Sequence, residues 1–213
     1  MDAMTDLSTG RRGESVPHNN PVFQEEKRWP GPIFFAISPD ADAALDAERT
    51  ARLLRVKNGL TGAPYPQEAL HVSLLGIGRR PGLRQEVVEA ACVAAAAVVM
   101  PPFEVAFDRA ASFRGQSKRP FVLFGGDGVI GIEMLQRALI SELEKAGFSF
   151  KQKSYEPHMA LLYDRRRVTE QFVAPIHWSV REFVLIHSLH GLAKHDRLGR
   201  WKLPERAYPG ELL

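Results

Sequence analysis

Only one cysteine, Cys92, occurs among 213 residues. That excludes an intrachain disulfide and makes a reducing, cytoplasmic compartment the expectation. The seven histidines show no metal spacing such as His-x-x-x-His, so neither a structural metal nor a cofactor is implied. Long hydrophobic runs are absent too. The longest, Ala90 to Met100, is too short to span a bilayer and stops at Pro101 and Pro102, so a packed helix is expected there and no membrane partner. No apolar segment follows Arg11 and Arg12, which removes a twin-arginine signal as their explanation. Charge of one sign does not dominate either: the net charge is +3, with a pI near 9.1, and this only permits anionic partners.

What is present is enough apolar sequence, 45%, to build a core. Residues 1–29 are polar, broken by Pro, Gly and Asn, and are read as a flexible tail ahead of one domain over 30–213. Ile33 to Ile37 read as a strand. Ser38 is a candidate N-cap with Pro39 at the first helical position, and the helix that follows stops near Gly59. Ala69 to Gly78 reads as a strand with Leu70, Val72 and Leu74 on one face and His71, Ser73 and Leu75 on the other. A helix is expected over about Leu83 to Met100 and a strand from Phe103.

The order then recurs. A strand begins at Phe121, an amphipathic helix ends at Gly147, and a strand carries His158. Phe34 lies 37 residues before His71, and Phe121 lies 37 before His158, so the two halves repeat at a spacing of 87. Such a repeat predicts an α+β fold, a bilobal pseudo-two-fold duplication with two antiparallel sheets lining a central cleft and helices packed outside. Three further β-like runs, "IHWSV", "EFVLIHSLH" and "GRWKL", add strands.

Histidine is the side chain that serves as acid or base near neutral pH, with an ordinary pKa of about 6.5. Two of them across a cleft suit in-line displacement at phosphorus, one taking a proton from water and the other giving one to the leaving oxygen. Ser73 shares the face of His71 and is placed to donate to a non-bridging phosphate oxygen. His-x-Ser alone is weak, because this composition yields about half a match by chance. His177-Trp178-Ser179 is a second match without a strand and helix ahead of it, and is read as a decoy. Basic residues cluster at Arg79-Arg80, Lys118-Arg119, Lys151-Lys153 and Arg165-Arg166-Arg167. Solubilising charge at strand ends explains them as readily as an RNA site does.

With "LHVSLLGIG", "FEVAFDRAASF", "RPFVLFGG", "YEPHMALLYD" and "FVLIHS" in this order, the chain from about Ile33 to Ser188 resembles the two-histidine (2H) phosphoesterase superfamily. Within it the chain resembles the bacterial RNA 2′,3′-cyclic phosphodiesterase group historically named 2′-5′ RNA ligases. The resemblance implies a metal-independent hydrolase with His158 as base and His71 as acid, opening 2′,3′-cyclic phosphates on RNA or small nucleotides to 2′-phosphates. It departs from the family's second His-x-Thr/Ser motif at Ala160, whose methyl group cannot donate a hydrogen bond. Tyr163 and Lys153 are the candidates to compensate, although simple alternation turns Tyr163 away from His158 unless the strand bulges. With Ser73 and Arg119 they make up the expected substrate-binding set. The rival readings are 2′-5′ ligation, a catalytically impaired RNA-end binding protein, and histidines that only pack. A self-contained two-lobed site needs no partner subunit, so a monomer is expected.

Overall fold

The computed structural model describes residues 28–29, 31–78, 83–114, 117–151, 154–189 and 194–205. In chain order the strands are β1 (Arg28–Trp29), β2 (Ile33–Ile37), β3 (Val72–Gly78), β4 (Leu83–Arg84), β5 (Phe103–Ser112), β6 (Arg119–Phe124), β7 (His158–Asp164), β8 (Gln171–Val180), β9 (Glu182–Leu189) and β10 (Lys194–Lys202). The helices are α1 (Ala41–Lys57), α2 (Gln85–Ala96) and α3 (Ile130–Lys145). Among the described residues no helix is long and apolar enough to cross a membrane.

Local chemistry places the helix ends. The cap of α1 is Asp40 rather than Ser38, because its carboxylate accepts from the Ala43 N–H at 2.9 Å, and Pro39 is left outside the helix. Ala43, Ala44, Ala47, Ala51 and Leu54 recur at helical spacing and are buried, a small-residue face that seats close to the sheet. Both α1 and α3 are followed by a glycine with positive φ, Gly59 at 60° and Gly147 at 90°, as helix ends favour. Helix α2 is shorter than expected at both ends: Leu83 and Arg84 are used as β4, which pairs with β1, and the helix stops at Ala96 with Ala97 as its C-cap. Arg28 and Trp29, assigned to the tail from sequence, are thus paired.

Eight strands form one antiparallel sheet in the order β10-β9-β2-β3-β7-β6-β5-β8. Two separate sheets were expected; the strands instead form this one, because its two four-stranded halves are joined at β3 and β7 by the pair Val72↔Met159. Helix α1 crosses beneath the other half, packing on β7 and β8, while α3 spans the joint, packing on β3 and on β5. The core lies between the helices and one sheet face, where Phe35, Phe107, Phe121, Leu123, Val72 and Met159 are buried. On the opposite face Ala36, Val184 and Ile186 form a small separate cluster with Phe34 beside them.

The repeat is visible in the register, with one correction. Ile37 pairs with Val72 and Ala36 with Ser73; Leu123 pairs with Met159 and Val122 with Ala160. The histidine strands are therefore offset by 87 residues but their partner strands by 86, and Phe121 corresponds to Phe35 rather than Phe34. Both halves carry a β-bulge at the same place. Phe35↔Leu75 follows Ala36↔Ser73, which leaves Leu74 as the extra residue, and Phe121↔Leu162 follows Val122↔Ala160, which leaves Leu161. A bulge exchanges faces downstream of itself. Leu75, expected beside His71 and Ser73, therefore packs against the core instead.

Candidate active site

Both histidines stand at the joint between the halves. His71 immediately precedes β3, His158 opens β7, and the residue after each belongs to the joining pair. Continuing that antiparallel register by one residue sets His71 opposite Ala160 and Ser73 opposite His158. His71 and His158 are then diagonal neighbours, whose backbone separation in a ladder is roughly 7–8 Å, close enough for both side chains to reach one group between them. All four residues share the face away from the core.

The two rings are held alike. His71 Nδ1 lies 2.9 Å from the Ala69 carbonyl oxygen and His158 Nδ1 lies 2.7 Å from that of Glu156, two residues earlier in each case. A carbonyl can only accept, so each Nδ1 carries the proton that it donates, and Nε2 is left as the atom that gains or loses one. Phe34 lies against His71 with ring centroids 5.3 Å apart, and Phe113 against His158 at 5.0 Å. These aromatic braces were not assigned from sequence; alternation on β2 puts Phe34 on a face, but nothing local in the sequence aims Phe113 at His158.

Ser73 is exposed, and its backbone carbonyl accepts a hydrogen bond from the Tyr155 phenol at 2.9 Å. Burial, and then the carboxylate of Glu133, push the Tyr155 phenol up from its ordinary range, so it stays protonated and donating. The bulge carbonyl of Leu74 accepts from the Gln136 side chain at 3.0 Å. Ser73 is thus held through its own carbonyl and that of the next residue.

The bulge at Leu161 reverses the alternation expected for Tyr163. Val122 and Pro120 pair with Ala160 and Tyr163 respectively, so Tyr163 lies on His158's face, 43% exposed. Tyr65 meets it edge-on with centroids 6.2 Å apart, and the Tyr65 N–H donates to the Leu161 carbonyl at 2.8 Å. Burial, and then Tyr163, raise the Tyr65 phenol above its ordinary value. Close approach makes the neighbouring turn require glycine: a Cβ on Gly62 would stand 2.2 Å from the Tyr163 carbonyl oxygen.

The other expected residues separate. Arg119 pairs with Asp164 at the far end of β6, on the parity of Phe121 and Leu123, and its guanidinium donates to the Arg165 carbonyl at 3.0 Å; the structure does not bring it to the histidines. Arg166 donates to the carbonyls of Asn58 and Gly59 beyond α1. Lys153 lies outside the described residues. His177 is exposed on edge strand β8, three strands from β7, and Trp178 is buried against Phe107. Among the described residues no three His, Cys, Asp or Glu side chains converge as a metal site would need.

Asp164 ends β7 and ties it to the turn after α1. Its carboxylate accepts from the N–H groups of Arg166, Gly62 and Thr61 and from the Thr61 hydroxyl at 2.6–3.1 Å. Chiefly the Arg166 and Gly62 N–H groups hold its pKa well below the usual carboxylate range.

The fold has counterparts. Escherichia coli LigT solved with 3′-AMP superposes with a TM-score of 0.64 at 23% identity, covering 82% of this chain and 98% of that one. LigT solved with NADP+ gives a TM-score of 0.63 at the same 23% identity and the same coverage of 82% and 98%. TT0787 of Thermus thermophilus gives 0.62 at 21% identity, covering 81% and 97%. At these identities the likeness is one of fold. No curated protein matches the chain. The sequence profile described as the 2′-5′ RNA ligase superfamily matches residues 39–192, well over half the chain, and spans both histidine strands. The chain therefore belongs to the 2′-5′ RNA ligase superfamily of two-histidine phosphoesterases.

Proposed function

We propose that the protein is a phosphodiesterase that opens 2′,3′-cyclic phosphates to 2′-phosphates without a metal. The observation that carries this reading is the matched presentation of His71 and His158, each clamped through Nδ1 by the carbonyl two residues back. His158 Nε2 takes a proton from water as the water oxygen attacks phosphorus. The bond from phosphorus to the 3′ oxygen breaks, and His71 Nε2–H protonates that oxygen. Ser73, opposite His158, donates to a non-bridging oxygen. General acid and base contribute about 10²–10⁴-fold each, and a preorganised donor about 10²–10³-fold. The assignment of base and acid follows the family resemblance. That LigT was solved with 3′-AMP supports a nucleotide substrate.

Ala160 favours a second reading. Its methyl group stands opposite His71 where a second hydroxyl would assist, which accords with a protein that binds RNA ends and turns them over slowly or not at all. One experiment separates the two. Chelator-treated protein is incubated with a short RNA ending in 2′,3′-cyclic phosphate, phosphorus is followed by NMR, and His71→Ala and His158→Ala run beside it. Conversion to a 2′-phosphate that vanishes in both variants is the expected result. A cyclic phosphate left unchanged by folded wild-type protein refutes the hydrolase.

A further inference from the structure

Strand β3 has one described pair with β7, Val72↔Met159. Past it, side chains take over the edge of β3: Tyr155 donates to the Ser73 carbonyl and Gln136 to that of Leu74. Further along the same strand a cavity of about 670 Å³ opens between β3, α3 and residues ahead of β7. Small-molecule sites run to roughly 300–1,000 Å³. Arg137, Ile140 and Glu144 of α3 form one wall, and Phe150, Lys151, Ser154 and Tyr155 form the other. Because α3 packs on the core side of the sheet, this cavity is separate from the face that carries His71 and Ser73.

The chemistry of the walls is divided. Phe150 is stacked on Phe148 with ring centroids 6.3 Å apart, and both pack on the core, as Tyr155 does. With its hydroxyl committed to Ser73, Tyr155 contributes its ring. Arg137 is held by Glu133 at 3.1 Å, while Lys151 and Glu144 are exposed and belong to none of the described ion pairs. A ring therefore finds apolar contact, an anionic group finds Lys151 and Arg137, and an N–H donor finds Glu144.

We infer that this cavity is a second ligand site, for a small aromatic anion carrying a hydrogen-bond donor, and that its occupant steadies Ser73 and His158. Tyr155 is both a wall of the cavity and the donor to Ser73, and the next residue, Glu156, supplies the carbonyl that accepts from His158 Nδ1. Residues 148–151 and 154–157 carry no regular secondary structure, so a ligand that bridges them to α3 adds a restraint the free protein lacks. Coupling between two sites is typically about 5–150-fold. Only the effect on turnover rests on the function proposed above.

The probes are indole-3-acetate, 3-indolyl phosphate and tryptamine, which share a ring and differ in the charged group. Calorimetric titration of wild type should give a dissociation constant of about 1 mM or tighter for at least one anion, and binding of the amine at least about tenfold weaker. The better anion tells whether the natural ligand carries a carboxylate or a phosphate. Lys151→Glu should weaken the anions at least about tenfold, and Ser154→Trp, which puts a ring into the cavity, should abolish binding. Both positions are exposed, so turnover without ligand should stay within about twofold of wild type. On a cyclic-phosphate substrate, saturating ligand should raise wild-type kcat about fivefold or more, and leave that of Tyr155→Phe unchanged although this variant still binds it. Absence of binding by either anion, equal binding by wild type and both cavity variants, tryptamine bound as tightly as the anions, or a kcat not raised at saturation would overturn the inference. If no cyclic phosphate is turned over, the hydrolase falls and the site is still tested. Ligand-induced shifts of the Ser73 and His158 amide resonances that Ser154→Trp loses uphold it, and unmoved resonances overturn it.

Discussion

Val72 and Met159 pair across the joint between the two halves of the sheet, and each directly follows one of the candidate catalytic histidines. One backbone contact thereby sets the relative position of both imidazoles. Because Val72 and Met159 are fully buried on the helix side, packing under the sheet fixes the geometry above it.

Substituting Ala160→Ser restores a hydroxyl opposite His71. Since loss of one such donor costs about 10²–10³ in rate, kcat should rise about tenfold or more with little change in KM. Steady-state kinetics on a cyclic-phosphate substrate check this; an unchanged or lower kcat means that the position does not face the phosphate.

In the proposed mechanism the two histidines act as one unit, so their effects should not add. His71→Ala and His158→Ala should each lower kcat/KM by about 10²–10⁴, and the double variant should be no worse than about tenfold below the poorer single one. Fully multiplicative losses would show two independent roles.

For Asp164→Asn, one carboxylate oxygen that accepts from N–H groups becomes an NH₂ that repels them, at a cost of about 2 kcal/mol. The folded-state pKa of Asp164 is depressed below its ordinary value of 3.8, so its stabilisation is fully present above pH 4 and fades as the pH falls further. Denaturant unfolding of both proteins should give a gap that is constant from pH 5 to 8 and narrows below pH 4. A gap that widens on acidification contradicts the assignment.

Removing the phenol with Tyr155→Phe deletes the bond to the Ser73 carbonyl. Stability should fall by about 1 kcal/mol, and kcat should drop more than KM changes as Ser73 loosens. Because the phenol pKa is raised, the stability difference should be the same at pH 7 and pH 9. A difference that disappears at pH 9 argues that the phenol ionises there.

Much of this was legible in the sequence, for physical reasons. Helix spacing and terminal glycines located α1 and α3, and alternation put His71 and Ser73 on one face. Alternation failed at Leu74 and Leu161, because a bulge is decided by pairing with a partner strand and leaves no mark in a single strand's pattern. Tyr163 and Leu75 changed faces for that reason. Arg119 looked suitable by charge alone, but its parity with Phe121 and Leu123 turns it from the histidines. Phe113, Tyr65 and the Nδ1 clamps depend on contacts between segments distant in sequence or on backbone conformation, which composition and spacing do not encode.

The twin bulges also bear on descent. A half-unit copied within one chain would carry its kink along with its histidine, and Leu74 and Leu161 are 87 residues apart, as His71 and His158 are. The partner strands differ by 86, so the copies have since diverged in length by one residue. A change of that size inside either strand would have turned its core residues outward. The connections between strand and helix are where it could be absorbed, as a residue lost on either side of α1 or gained on either side of α3.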